Sequence, residues 1–355
     1  MKPLLLALCL LAQAPAAARG PDTGTIAGAA YRIDTPDRWN GDLVIIFHGY
    51  EVPGEPRGPL KLSALGQALF DRGYAVLQSG YAEQGWAVAG AIADTRRARR
   101  SFVAAHGKPG RVYALGGSFG GHVALASAER GDRYTGVLSY CGANVPTATM
   151  FGQAFGLLVG FDTLFPDVLR LGPGRLADAA APAMLDDPTM DRVVAALAGD
   201  PAKAQLLADK AELHVEDVAG TLWLYHAALR DITARAGGFP LDNRGVVYAG
   251  YGDDAAFNRA VHRYRGAPAA IKRLARDFAL TGRITQPVMA IANAYDDVIP
   301  ASFTPVYAGL AARAGQAQHF VQLPPVGSGH CRFQPAQLVA AFGRLTDWAE
   351  RGLRP

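Results

Sequence analysis

Short apolar runs alternate with helix-length segments from Asp42 to about Asn144, and the alternation returns near the end of the chain. The runs of the first part are DLVIIFHGY (42–50), GYAVLQSGY (73–81), RVYALGG (111–117) and YTGVLSYCG (134–142). Continuous β-branched and aromatic runs are typical of strands buried on both faces. Because helix-length segments separate them, the pattern predicts an α/β fold with a mostly parallel sheet covered by helices.

The alternation stops near Asn144, and the sequence then reads mostly as successive helices, with GVVYAGY (245–251) as a possible strand. It resumes with the strand candidates PVMAIANAYDD (287–297) and QHFVQLPPV (318–326) and a closing amphipathic helix. We therefore expect residues 19–144 and 283–355 to form one sheet domain. Residues 145–282 are predicted to be a mostly helical lid inserted into it.

The first residues carry the features of an export signal. Lys2 precedes an apolar stretch (4–11), and small residues follow at Ala16 and Ala18, as signal-peptidase cleavage requires. The stretch is too short to span a bilayer. Residues 1–18 are thus predicted to be a cleaved signal peptide, and the mature protein is expected to be secreted or periplasmic, without a membrane span.

The overall charge and the motif content exclude several classes of partner. The formal charge is +4, and the basic residues are scattered apart from one run, Arg96, Arg97, Arg99 and Arg100. On a helix such a run is usually a solvated face, so we expect no nucleic-acid binding. The sequence has no C-x-x-C, no H-E-x-x-H and no phosphate-binding glycine loop, so no metal and no nucleotide cofactor are expected.

A candidate nucleophile stands where a strand candidate meets a helix candidate. Residues 116–120, GGSFG, match the G-x-S-x-G pattern, in which a sharp strand-to-helix turn exposes a serine hydroxyl. Ser118 needs a base, and His330 in the glycine-flanked loop VGSGHCRF can supply one. His122 lies on the helix after the serine and His319 inside a predicted strand, so neither suits this role.

The acid that orients the base is Asp296 or Asp297, which both follow a strand candidate. The segment NAYDDVIP (293–300) resembles the acid motif G-x-x-D-x-x-V/I-P of the α/β-hydrolase superfamily, with Asn in place of the first Gly. The resemblance favours Asp296, implies the α/β-hydrolase fold, and matches its chain order of Ser, Asp and His. It implies a Ser118–Asp296–His330 triad.

An acyl-transfer site also needs donors for the oxyanion. The backbone N–H of Phe119, directly after the nucleophile, is one candidate. The segment His48-Gly49-Tyr50 resembles the oxyanion loop of the superfamily, which implies the N–H of Tyr50 as the second donor. The phenol of Tyr50 is a rival donor, and His48 is expected to brace the loop by a hydrogen bond.

The resemblance covers most of residues 24–145 and 284–355. WNGDLVIIFHGY, the pair Gly85-Trp86, the GGSFG turn and GHCRF look like a group of secreted bacterial α/β-hydrolases, distantly similar to tannase, feruloyl-esterase and aminopeptidase-like enzymes. It implies hydrolysis of a carboxylic ester, small or polymeric, through an acyl-enzyme. The alternatives are an exported serine peptidase of the aminopeptidase type and a non-catalytic binding protein on the same fold.

The predicted lid would wall an apolar pocket. Trp223, with its neighbours Leu224 and Tyr225, and Trp86 on a loop after a strand are the pocket candidates. A peptidase would also need a carboxylate for the substrate ammonium, for which Asp253 and Asp254 are the candidates.

The two cysteines of the predicted mature chain are candidates for a disulfide. In this fold Cys141 ends the strand beside that of the nucleophile, and Cys331 follows the proposed base, so both lie at the same sheet edge. Export permits the bridge, with two free thiols as the alternative. In tannase-like enzymes a cysteine before the nucleophile pairs with the one beside the histidine, whereas here that position is Gly117.

Overall fold

The structure is a computed structural model that describes residues 20–172, 174–178, 180–277 and 279–355, so the predicted signal peptide lies outside it. In this part of the chain the strands are β1 (Asp22–Ile26), β2 (Ala29–Asp34), β3 (Leu43–Phe47), β4 (Ala75–Ser79), β5 (Val112–Gly117), β6 (Gly136–Tyr140), β7 (Val288–Ile291) and β8 (Phe320–Gln322). The helices are α1 (Ala64–Phe70), α2 (Val88–His106), α3 (Phe119–Glu129), α4 (Thr147–Leu164), α5 (Asp187–Gly199), α6 (Pro201–Ala211), α7 (Val218–Ala236), α8 (Asp254–Ala260), α9 (Pro268–Asp277), α10 (Val306–Arg313) and α11 (Pro335–Arg351). None of the helices described is long and apolar enough to cross a membrane.

All the strands join one sheet in the order β1-β2-β4-β3-β5-β6-β7-β8. β2 pairs antiparallel with β1 and β4, and every other pair is parallel. The predicted α/β class with a mostly parallel sheet is therefore confirmed. The β1–β2 hairpin is an addition that the sequence analysis missed, because β1 is exposed along most of its length and carries no apolar run.

The central strands are buried on both faces. In β3, Leu43, Ile45 and Phe47 face the core under α2, α3 and α10, whereas Val44 and Ile46 face α1 and α11. This two-sided burial is the reason that such strands read as continuous apolar runs. Because parallel strands end at a common edge, the loops after β3, β5, β6 and β7 meet there.

Helices α4 to α9 occupy the stretch of chain between β6 and β7, where α4 packs against α6, α7 and α9. The possible strand at residues 245–251 does not form, since this segment is irregular. The side chain of Asn258 donates to Tyr248 O at 2.6 Å and accepts from Tyr248 N at 3.0 Å. It thus takes the backbone groups that a partner strand would bind. His319, expected inside a strand, instead ends a short 3-10 turn before β8.

His226 on α7 is a buried titratable group inside these helices. It is fully buried, and neither ring nitrogen has a hydrogen-bond partner among the described residues. Burial and, to a lesser extent, the positive charge of Arg230 lower the pKa of His226 to about 4. An unfolded chain has a histidine pKa of about 6.5, so acid protonates the unfolded state first. Above about pH 6.5, His226 is neutral in both states and does not lower the free energy of unfolding. As the pH drops from 6.5 toward 4, protonation of the unfolded chain lowers that free energy.

We expect this histidine to cost the protein about 2–3 kcal/mol of unfolding free energy between pH 7.5 and 4.5. Urea denaturation of the wild type and of His226→Leu at both pH values measures the effect. The pH-dependent loss should shrink by that amount in His226→Leu, which has no group to protonate. An equal loss in the two proteins would show that His226 does not control acid stability.

Candidate active site

Ser118 lies in a sharp turn between β5 and α3, with φ 55° and ψ −127°, a conformation that residues with a side chain rarely adopt. Gly116 and Gly120 flank this turn, and neither position has room for a side chain because neighbouring backbone lies too close. A Cβ on Gly116 would lie 2.1 Å from Gly120 O, and one on Gly120 would lie 2.1 Å from Phe47 O. The turn therefore presents the Ser118 hydroxyl at the carboxyl edge of the sheet, as the motif predicts.

A chain of hydrogen bonds joins Ser118 to a buried carboxylate. His330 Nε2 lies 2.8 Å from Ser118 Oγ, and His330 Nδ1 lies 2.8 Å and 3.0 Å from the two carboxylate oxygens of Asp296. The backbone N–H groups of Val298 and Ile299 donate to Asp296 Oδ1 at 2.9 Å and 2.8 Å. These donors hold the carboxylate, which is only 4% exposed, toward the imidazole ring.

The neighbouring acid has a different partner. Asp297 Oδ1 accepts the backbone N–H of His330 at 2.7 Å, so it holds the histidine loop and not the ring. Of the two candidate acids, it is therefore Asp296 that contacts the imidazole.

The predicted disulfide between Cys141 and Cys331 is confirmed, with 5.2 Å between the Cα atoms. It ties the histidine loop to the end of β6. The disulfide of tannase-like enzymes would need a cysteine at position 117, directly before Ser118. A Cβ on Gly117 would lie 2.4 Å from the ring of Tyr140, so this position has no room for one. A cysteine at position 117 would therefore require Tyr140 to move, and Cys331 pairs across the neighbouring strand instead.

Two other histidines near the serine are engaged in packing. His122 is fully buried, and its Nδ1–H donates to Ala143 O at 2.9 Å. His48 Nδ1–H donates to Gly49 O at 2.8 Å, and its ring stacks on Tyr81 at 3.9 Å. Burial lowers the pKa of His48, which favours its neutral form. His48 thus braces the Gly49-Tyr50 loop, as expected.

A cavity of about 450 Å³ opens over Ser118 and His330. Its walls are mostly apolar, and the described residues that line it include no Asp, Glu, Lys or Arg. From the stretch between β6 and β7, α4 contributes Met150, Phe151 and Ala154, and α7 contributes Leu224, Tyr225 and Ala228. Helices far from Ser118 in sequence therefore form one wall of the space above it.

The structure brings Tyr50, Phe119 and Trp86 to this cavity. The phenol of Tyr50 is turned to Asp231, to which it donates at 3.5 Å, and burial raises the pKa of this phenol. Trp223 does not line the cavity, because the phase of α7 turns its indole away to donate to Leu185 O at 3.2 Å. Of the two tryptophans suggested for the pocket, Trp86 therefore lines the cavity and Trp223 does not.

The carboxylates suggested for a substrate ammonium also lie elsewhere. Asp253 caps α8 by accepting Ala256 N–H at 2.9 Å, and Asp254 accepts Tyr251 N–H at 2.8 Å. Neither lines the cavity. Asp253 is thus the N-cap of α8, which is the usual use of Asp before a helical segment, whereas Asp254 holds the turn that leads into the helix.

One face of α7 holds groups that the sequence analysis missed. Thr221 donates to Asp297 O and Tyr225 to Val298 O, each at 2.7 Å, so this helix is attached to the loop of the acid. Two turns later Asp231 accepts the backbone N–H of Trp86 at 2.6 Å. The helical spacing of these residues is the signal that could have grouped them on one face.

The described residues thus place Ser118 in a strand-to-helix turn at the carboxyl end of a parallel strand, with Ser118, Asp296 and His330 in that chain order and joined by hydrogen bonds. This is the arrangement of the α/β-hydrolases. The fold is the α/β-hydrolase fold.

Comparison with known proteins adds only distant likenesses. No family model and no curated protein matches the sequence. Among solved structures, the acylaminoacyl peptidase of Pyrococcus horikoshii is 10% identical with a TM-score of 0.49, and the match covers 92% of this chain but only 42% of that one. A mutant of the rice cell wall degrading esterase LipA from Xanthomonas oryzae is 14% identical with a TM-score of 0.49, covering 91% and 87%. Feruloyl esterase B from Aspergillus oryzae is 14% identical with a TM-score of 0.48, covering 93% and 80%. Likeness at this level does not define what the chain acts on.

Proposed function

We propose that this protein is a serine hydrolase that cleaves carboxylic esters through an acyl-enzyme. The observation that carries the proposal is the hydrogen-bond chain from Ser118 through His330 to Asp296, with 2.8 Å from Nε2 to Ser118 Oγ and 2.8 Å from Nδ1 to Asp296 Oδ1. A serine hydroxyl is a weak nucleophile until a base accepts its proton, and the base works best when a carboxylate orients it.

In the proposed reaction, Ser118 Oγ attacks the ester carbonyl while His330 Nε2 takes its proton. Asp296 keeps the proton on Nδ1 and stabilises the imidazolium that forms. The backbone N–H groups of Phe119 and Tyr50 hold the oxyanion. The engagement of the Tyr50 phenol with Asp231 supports the backbone N–H as the donor. His330 then protonates the leaving alcohol and activates the water that releases the acid.

The walls of the cavity favour an ester over a peptide with a free amino end. A substrate ammonium would need a carboxylate, and no Asp or Glu occurs among the described residues that line the cavity. The side chains from α4 and α7 suit an apolar or aromatic acyl group instead. The alcohol part could belong to a small molecule or a polymer.

Residues 145–282 serve as the lid in this proposal, because α4 and α7 form a wall of the same cavity as Ser118. We further propose that the protein is exported and acts in the periplasm or outside the cell. The disulfide between Cys141 and Cys331 supports this, since such bonds persist in oxidising compartments.

The test is a panel of p-nitrophenyl esters with acyl chains of increasing length, run beside aminoacyl-p-nitroanilides. We expect turnover of the esters, with a kcat/KM that rises with chain length until the cavity is filled. In Ala228→Phe, which fills part of the cavity, kcat/KM for long-chain esters relative to acetate should fall about tenfold or more. Faster turnover of the anilides would favour the peptidase alternative.

A further inference from the structure

Asp231 is a buried carboxylate on α7 whose side chain is only 6% exposed. Its Oδ2 accepts the backbone N–H of Trp86 at 2.6 Å and faces the phenol of Tyr50 at 3.5 Å. Its Oδ1 accepts from Arg235 Nε at 2.8 Å. The carboxylate therefore contacts two loops of the sheet domain in addition to a cation on its own helix.

The loop before Trp86 is shaped to admit this carboxylate. Gly85 has φ +78°, and a Cβ there would lie 2.4 Å from Asp231 Oδ2. Gly85 N–H also donates to Glu51 O at 2.9 Å, directly after Tyr50 in the chain. The loop of Tyr50 and the loop of Trp86 are thus joined by a backbone hydrogen bond at the point where Asp231 contacts both.

Arg235, one helical turn after Asp231, contacts the same loop before Trp86. It pairs with Glu83 at 2.8 Å and donates to Gln84 O, both in the loop before Trp86. Because Arg235 already neutralises Asp231, this carboxylate is not a free site for a substrate ammonium. Its contacts attach the helix to the loops.

The opposite end of α7 is attached to the loop of the acid through Thr221 and Tyr225. Position 221 and position 231 lie about 15 Å apart along a helix. Between them, Leu224 and Ala228 form part of the cavity wall. One helix therefore bridges the loop that carries Asp296 and the loop that carries Tyr50, along one wall of the cavity.

We infer that Asp231 is a positioning residue, which holds the Tyr50 loop so that its backbone N–H meets the oxyanion while α7 closes the cavity. The inference rests on the proposed ester hydrolysis. Oxyanion donors act because they are already in place when charge develops, and a misplacement of about 1 Å can cost about 100-fold in rate. A buried carboxylate that accepts several hydrogen bonds is strong enough to set such a position.

The experiment compares Asp231→Ala and the milder Asp231→Asn with a matched control, Asp162→Ala. Asp162 is also a buried acid of the inserted helices, and its hydrogen-bond and ion-pair partner among the described residues is Arg175, at 2.8 Å, in the same insertion. For each variant, steady-state kinetics on one p-nitrophenyl ester, the labelling rate with a fluorophosphonate probe and the melting temperature are measured. The phosphonyl oxygen of the probe occupies the oxyanion position, so labelling reports on the donors directly.

We expect Asp231→Ala to lower kcat and the labelling rate about 10- to 100-fold with little change in KM, and Asp231→Asn to lower them less. Asp162→Ala should lower the melting temperature as much as Asp231→Ala does, but it should leave kcat within about twofold of the wild-type value. The inference is overturned if both Asp231 variants keep the wild-type kcat and labelling rate. It is also overturned if their kcat and labelling rate fall no further than those of Asp162→Ala. A wild-type protein that is labelled but hydrolyses no ester would contradict the proposed function alone, because the labelling rates still report on Asp231. Absence of both activities would overturn the two proposals together.

Discussion

Replacement of Ser118 by alanine should reduce ester hydrolysis by about 10³-fold or more and abolish labelling by a fluorophosphonate probe. The reason is that the variant lacks the only oxygen that His330 Nε2 contacts at 2.8 Å in the described structure. Without a nucleophile no acyl-enzyme can form, and only stabilisation by the oxyanion donors and substrate binding would remain. Gel-based labelling and hydrolysis of a p-nitrophenyl ester measure the two effects.

Ser101→Ala is the matched control, because this serine lies on α2, outside the cavity lining. It should keep both labelling and turnover. Labelling of Ser118→Ala at the wild-type rate would mean that another residue is the nucleophile. A wild-type protein that is neither labelled nor active would instead favour the non-catalytic binding protein.

The second large effect is expected at the acid. In Asp296→Asn, kcat should fall about 10³- to 10⁴-fold, because the amide cannot hold the imidazole in the tautomer that accepts the serine proton. Asp297→Asn should lose at most about tenfold, since an amide oxygen can still accept the backbone N–H of His330. The two variants are compared by kcat on the same ester, with folding checked by circular dichroism.

A greater loss at Asp297 would reverse the assignment of the acid while leaving the mechanism intact. Equal and small losses at both positions would mean that His330 works without an orienting carboxylate. Circular dichroism separates either result from misfolding, because a variant that only loses its orienting carboxylate keeps the wild-type spectrum.

The sequence was most informative where local pattern and tertiary environment agree. The central strands are buried on both faces, so their apolar runs were visible without the structure. The turn at Ser118 has a local steric cause in Gly116 and Gly120, and such causes appear as short motifs. The N-terminal hairpin left no signal in the sequence, because β1 is exposed and carries no apolar run. The possible strand at 245–251 does not form, because the side chain of Asn258 binds the backbone groups of Tyr248.

By itself, the sequence determined the α/β class, the strand-to-helix turn at Ser118 and the two candidate acids, and it left the pairing of Cys141 with Cys331 open against two free thiols. Only the tertiary structure decided that Asp296 contacts the imidazole and Asp297 the backbone of the histidine loop, because adjacent residues differ in direction and not in composition. It also turned Trp223 away from the cavity and brought Asp231 to Tyr50, which is 181 positions away in the chain. The rotational phase of a helix against a distant loop depends on packing between the two, and no short pattern in either segment records it.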